Sequence, residues 1–169
     1  FGGPGFCLGK GRSGMLADMT EIGKSCQLKV TAIPLHKDLE NQVVSSSQIR
    51  DALRAGDVKT AARMLGDDHI ISGVVEMGDQ RGRVLSFPTA NIQMDNVLQP
   101  AFGVYAITAS VRGDETVYHG VCNIGRRPTV NDRGILAEAH LFDFEQDIYG
   151  EMLDIRLKAF LRPEQKFDG

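Results

Sequence analysis

From His69 onward the chain is a succession of short alternating stretches broken by glycine and proline, and that succession restricts the fold more than any other feature. Candidate strands cover 69–77, 89–93, 103–111, 116–124, 135–144 and 152–161. The last is the cleanest: Leu153, Ile155, Leu157, Ala159 and Leu161 fall on one face, with Asp154, Arg156 and Lys158 on the other. Six short strands with no long helix between them predict a small antiparallel barrel, closed or nearly so.

The region before His69 reads differently. Residues 1–14, FGGPGFCLGKGRSG, suit a loop, with Lys10 and Arg12 set among glycines. Gln27 to Ile33 alternates Leu28, Val30 and Ala32 against Lys29 and Thr31, which predicts a strand. Serines 45–47 precede Ile49, Ala52 and Leu53 at helical spacing, with a stop at Gly56. Asp57 then caps a second short helix carrying Val58, Ala61, Ala62 and Leu65, which stops at Gly66. The change from helical to alternating pattern places a boundary at 66–68.

Composition removes several classes of function. At 169 residues, 42% hydrophobic and 24% charged, the chain can bury a core without disulfide support. It has no apolar run long enough for a spanning helix. A net charge of −3 gives no general attraction to nucleic acid, so any anion must be held locally. Cys7, Cys26 and Cys122, odd in number and widely spaced, match neither a disulfide framework nor a zinc pattern, and a reducing cytoplasm is expected. The opening at Phe1 reads as an internal start, and FGGPGF has no signal-peptide layout.

The most distinctive stretch is GVVEMGDQRGRVLSFPTANI, from Gly73 to Ile92. Gly73, Gly78 and Gly82 let the backbone approach a ligand, and Arg81 and Arg83 can answer phosphate charge. Pro88 fixes the chain before Thr89, whose hydroxyl is a hard oxygen able to ligate Mg2+; Asn91, two residues on, shares its side. No GxxxxGK followed by Ser or Thr occurs, so a phosphate site here must be borne on strands. Chemistry alone favours a glycine-rich hairpin with a Pro-Thr turn. In ILAEAHLFDF, Ile135, Ala137, Ala139 and Leu141 occupy one face and leave Glu138, His140 and Phe142 on the other. Pattern alone favours Glu138 as a surface carboxylate and His140 as an ordinary strand histidine, and leaves the Arg126-Arg127 pair of NIGRRPTV as either a phosphate contact or solvated loop charge.

The Gly-rich loop ending in Pro88-Thr89-Ala90-Asn91 resembles the ATP-binding signature of riboflavin kinases. From near Gly9 to its last residue the chain is similar to bacterial bifunctional riboflavin kinase/FMN adenylyltransferases. The resemblance implies a six-stranded antiparallel Greek-key riboflavin kinase barrel over 67–169. It implies, over 1–66, the C-terminal part of a Rossmann-like α/β adenylyltransferase domain. It further implies ATP and riboflavin as substrates, FMN as product and Mg2+ as cofactor. Gly78, Gly82, Arg83, Pro88, Thr89 and Asn91 would hold ATP, Thr89 would ligate the metal, and Glu138 in its E-x-H segment would be the catalytic base. NIGRRPTV resembles the family's Asn-Ile-Gly segment. Ser45, Ser46, Ser47 and Arg50 match the family's nucleotidyltransferase phosphate motif, although spacing alone favours a simple serine-capped helix.

The sequence departs from the family at Gly5 and Leu8 in the first glycine-rich stretch and at Ser86, where the kinase loop usually has glycine. The early HxGH-type segment is absent, so adenylyl transfer by these residues alone is not expected. RPEQKF, Arg162 to Phe167, looks like the lead into the family's C-terminal helix, which does not follow here. The competing readings are a flavin- or nucleotide-binding fragment without turnover and a nucleic-acid-binding barrel. The acidic balance opposes the second.

Overall fold

A computed structural model describes residues 3, 5–38, 41–77, 89–94, 97–126 and 134–164. The chain divides into two compact units, Phe1–Val44 and Ser45–Gly169.

In the first unit, strands β1 (Cys7–Leu8) and β2 (Gly14–Met15) pair around a single 3-10 turn at Lys10–Arg12. Helix α1 (Leu16–Ser25) follows, capped where the Asp18 carboxylate accepts from the Met15 N–H at 2.7 Å. Neither the hairpin nor α1 is anticipated by the sequence reading. Half-buried Leu16 and Met19 and buried Gly23, at spacings of three and four, are the signal for α1. The strand expected over 27–33 does not form. The chain folds back on α1, with Leu28 N–H donating to Gly23 O at 2.8 Å, Leu28 stays 67% exposed, and the stretch carries a single bridge position, Ala32.

In the second unit, α2 (Ser46–Arg54) and α3 (Val58–Leu65) form where their caps dictate. Ser45 Oγ accepts from Gln48 N–H and Asp57 Oδ1 from Thr60 N–H at 3.0 Å. Gly56 and Gly66 end the helices at φ of 80° and 78°, backbone that a β-carbon would strain. Leu53, Val58 and Ala61 are buried in the same core as the strands, so both helices pack with the sheet although the composition boundary falls after them.

Strands β3 (His69–Val74), β4 (Ala90–Gln93), β5 (Gly103–Val111), β6 (Tyr118–Arg126), β7 (Ile135–Leu141) and β8 (Met152–Pro163) form one antiparallel sheet in the order β3-β8-β5-β6-β7-β4. The run β8-β5-β6-β7 is a Greek key: three hairpin-connected strands, with the fourth returning beside the first. The two ends of the sheet approach each other. Glu76, just past β3, bridges Asn91 on β4, its N–H donating to Asn91 O at 2.8 Å, and the sheet is thereby nearly a barrel.

Burial follows the predicted alternation on β7, where Ile135, Ala137, Ala139 and Leu141 all face the core. On β8 the alternation holds for Leu153, Ile155 and Leu157 and then breaks. A register shift opposite Ala106 and Ile107 inserts Lys158, so parity flips. Phe160 then turns inward against Tyr105, ring centroids 5.1 Å apart, and Leu161, expected on the core face, is exposed.

Candidate active site

The inner and outer faces of the sheet separate packing from chemistry. One register row runs Ala90, Ala139, Cys122, Tyr105 and Phe160, and its side chains fill the core. The adjacent row, displaced by one residue on every strand, runs Asn91 on β4, Glu138 on β7, Asn123 on β6 and Val104 on β5. Directly opposed residues of an antiparallel pair share a face, with Cβ atoms about 4.5–5.5 Å apart. Glu138 therefore lies between two asparagines. Asn91 is only 5% exposed, while Glu138 and Asn123 are half-buried.

Thr89 immediately precedes β4 and is half-buried. It lines a cavity of about 160 Å3 together with Ala90 and Ala139 on one side and Phe144, Gln146, Ile148 and Tyr149 of the β7–β8 connection on the other. That connection is pinned in place. The Phe144 ring meets Tyr118 edge-on at 4.7 Å, Gln146 Nε2 donates to the Tyr118 hydroxyl at 3.3 Å, and Asp147 accepts from Tyr149 N–H at 3.1 Å. The result is a largely apolar pocket beside the Thr89 hydroxyl, while Glu138, next to Ala139 in the chain, stands on the opposite face of β7.

The electrostatics keep the core side of this wall inert. Burial, followed by the nearby Glu138 carboxylate, pushes the Cys122 thiol up to about 12, so it is neither a nucleophile nor a ready partner for oxidation. Tyr105 is likewise pushed up to about 12, chiefly by burial, and its hydroxyl donates to Ala101 O.

Of the site residues expected from sequence, Asn91 and Glu138 are paired across β4 and β7, and Thr89 lies one residue before β4 on the lining of the cavity. Gly78, Gly82, Arg83 and Pro88 lie outside the described residues, as do Arg81, Ser86 and Arg127. Arg126 ends β6 and is exposed. Ser45, Ser46, Ser47 and Arg50 sit on a separate element, the first turns of α2, where Ser45 Oγ serves as the cap and also donates to Gln48 Oε1 at 2.8 Å. Sequence reasoning missed Asn123 and the lining from Phe144 to Tyr149. Asn123 opens NIGRRPTV, but its pairing with Glu138 depends on strand register. DIYG reads as a turn, with nothing to mark it as a pocket wall.

Among the described residues no cluster of three or more His, Cys, Asp or Glu could hold a metal, and no helix is long and apolar enough to cross a membrane. The Thr89 hydroxyl and the Asn91 side-chain carbonyl are hard oxygen donors of the kind Mg2+ accepts when phosphates and water supply the remaining ligands.

A family model described as flavokinase, riboflavin kinase, matches residues 65–169. The bifunctional riboflavin kinase/FMN adenylyltransferase of Bacillus subtilis is 44% identical over 134 residues, covering 77% of this chain and 42% of that protein. The protein of the same description from Listeria monocytogenes is 34% identical over 166 residues, covering 97% of this chain and 52% of its own length. The chain thus spans about half the length of the curated relatives it matches. A crystal structure described as a macrolide-efflux protein from Streptococcus pneumoniae superposes with a TM-score of 0.80 at 30% identity, over 99% of this chain and 53% of that one.

Proposed function

Because the chain belongs to the riboflavin kinase family, we propose that it transfers the γ-phosphate of ATP to the terminal ribityl hydroxyl of riboflavin, giving FMN and ADP. The observation that carries the reading is the direct pairing of Asn91 with Glu138, which sets a carboxylate beside β4, the strand that follows Thr89. Glu138 accepts the proton of the attacking hydroxyl as its oxygen bonds to the γ-phosphorus and the bond to the ADP oxygen breaks. Asn91 and Thr89 orient the phosphates, and the apolar walls beside Thr89 suit a flat heterocycle. Gly78, Gly82, Arg83 and Pro88 complete the nucleotide site in this proposal. Thr89, with Asn91 beside it, would hold Mg2+, which neutralises phosphate charge when bound.

Residues 1–66 are read as the C-terminal part of a Rossmann-like FMN adenylyltransferase module, with Ser45 to Ser47 and Arg50 its phosphate motif, and 67–169 as the kinase barrel. The relatives' second activity, FAD formation, is assigned to a longer protein of which this arrangement would be part. A cytoplasmic setting, with neither nucleic acid nor membrane as partner, belongs to the same reading.

Incubating the chain with riboflavin, ATP and Mg2+ and separating the flavins by chromatography tests it. FMN is expected, without FAD. Calorimetric binding of riboflavin or ATP with no FMN formed would replace the kinase by a non-catalytic binding fragment.

A further inference from the structure

We infer that Asn123 is a positioning residue for the proposed base, holding the Glu138 carboxylate for proton transfer from the side opposite Asn91. The inference rests on the kinase reading and deepens it. Two ladders carry it independently: β7 pairs Glu138 with Asn91 on β4 and, on its other edge, with Asn123 on β6. The same residue is thus flanked at cross-strand contact distance by two carboxamides.

A carboxylate on an open sheet face can turn either oxygen toward solvent, and a base that does so is not aimed. A primary amide offers two N–H donors, enough to hold one carboxylate oxygen and leave the other to accept a proton. Asn123 is half-buried and stands on central strand β6, where backbone pairing on both edges fixes its Cβ. The titratable neighbours on the same wall are His140, His119, Glu164 and Glu76. His140 stands two residues along β7, with its ring against Phe142 at 5.6 Å, and His119 lies four residues from Asn123 on β6. The Glu164 carboxylate occupies the space over Gly125, where a β-carbon would come within 2.4 Å of it. Glu76, bridged to Asn91 and so on the same face of the sheet, is exposed, β4 contributes no titratable side chain, and the Cys122 thiol is on the core face.

The test compares Asn123→Asp, Asn123→Ser and Glu138→Gln in FMN formation by this chain, with kcat and both KM values measured. Asn123→Asp keeps the shape but offers no N–H donor, and Asn123→Ser removes the amide without adding charge. In each, kcat is expected to fall about tenfold or more with both KM values within about twofold, as for loss of the group that orients a base. An unchanged kcat in Asn123→Asp or in Asn123→Ser overturns the inference while inactive Glu138→Gln leaves the kinase reading standing. Full turnover by Glu138→Gln, or none by the unsubstituted chain, overturns the reading beneath it.

Discussion

The character of the site is set by residues whose roles depend on what stands opposite them. Glu138→Gln keeps the shape and removes the proton acceptor, so kcat is expected to fall by about 10²–10⁴ while ATP affinity, measured by calorimetry, holds. Thr89→Val acts on the other half: it removes the hydroxyl from the edge of the cavity and keeps the branched shape. Weaker Mg2+-dependent ATP binding is expected, and an unchanged affinity would make Thr89 a turn residue only. Alternation along β7 places Glu138 on the outer face but does not distinguish it from any surface carboxylate. The distinction lies in its register partners, which one strand's sequence does not contain. Asn123 escaped notice for the same reason.

Elements were legible where the signal is local. The serine and aspartate caps and the glycine stops fix α2 and α3 because each works within four residues of chain. The stretch 27–33 shows the opposite case: period-two alternation is present, but a strand exists only if another strand bonds it, and here the chain bonds back to α1 instead. The break of alternation at Lys158 is likewise non-local, since a bulge is a mismatch between two strands. The α3 cap gives an element-scale prediction. Hydrogen bonds from the Thr60 N–H and hydroxyl hold the Asp57 carboxyl below the usual carboxylate range. A lowered folded pKa means stability that is present above the unfolded value and lost as pH falls through the folded one. Asp57→Ala should therefore cost about 0.5–2 kcal/mol at neutral pH by urea unfolding. That difference should shrink in acid, where the native carboxyl is itself protonated.

At the scale of the molecule, the number of strands followed from counting alternating stretches, whereas closure follows from one close approach between the sheet's ends. Gly73 on β3 faces Ile92 on β4, and a β-carbon at Gly73 would lie 2.3 Å from the Ile92 Cγ2. Ile92 is fully buried, so its side chain has no free space to retreat into. The absent side chain at Gly73 is what lets β3 and β4 come together, and the Glu76 to Asn91 bridge follows three residues beyond Gly73. Since Asn91 is also the partner of Glu138, closure and the site share a strand. Gly73→Ala is accordingly expected to destabilise the protein by about 1–3 kcal/mol, the range for an overpacked core. Ile92→Ala alone leaves a cavity and should cost about 2–5 kcal/mol. In the double variant the new methyl occupies part of that cavity, so the combined loss should be at least about 0.5 kcal/mol smaller than the sum of the two. Strict additivity in urea unfolding would mean that β3 and β4 are not held at this contact, and the barrel would then owe its closure to the Glu76 bridge alone.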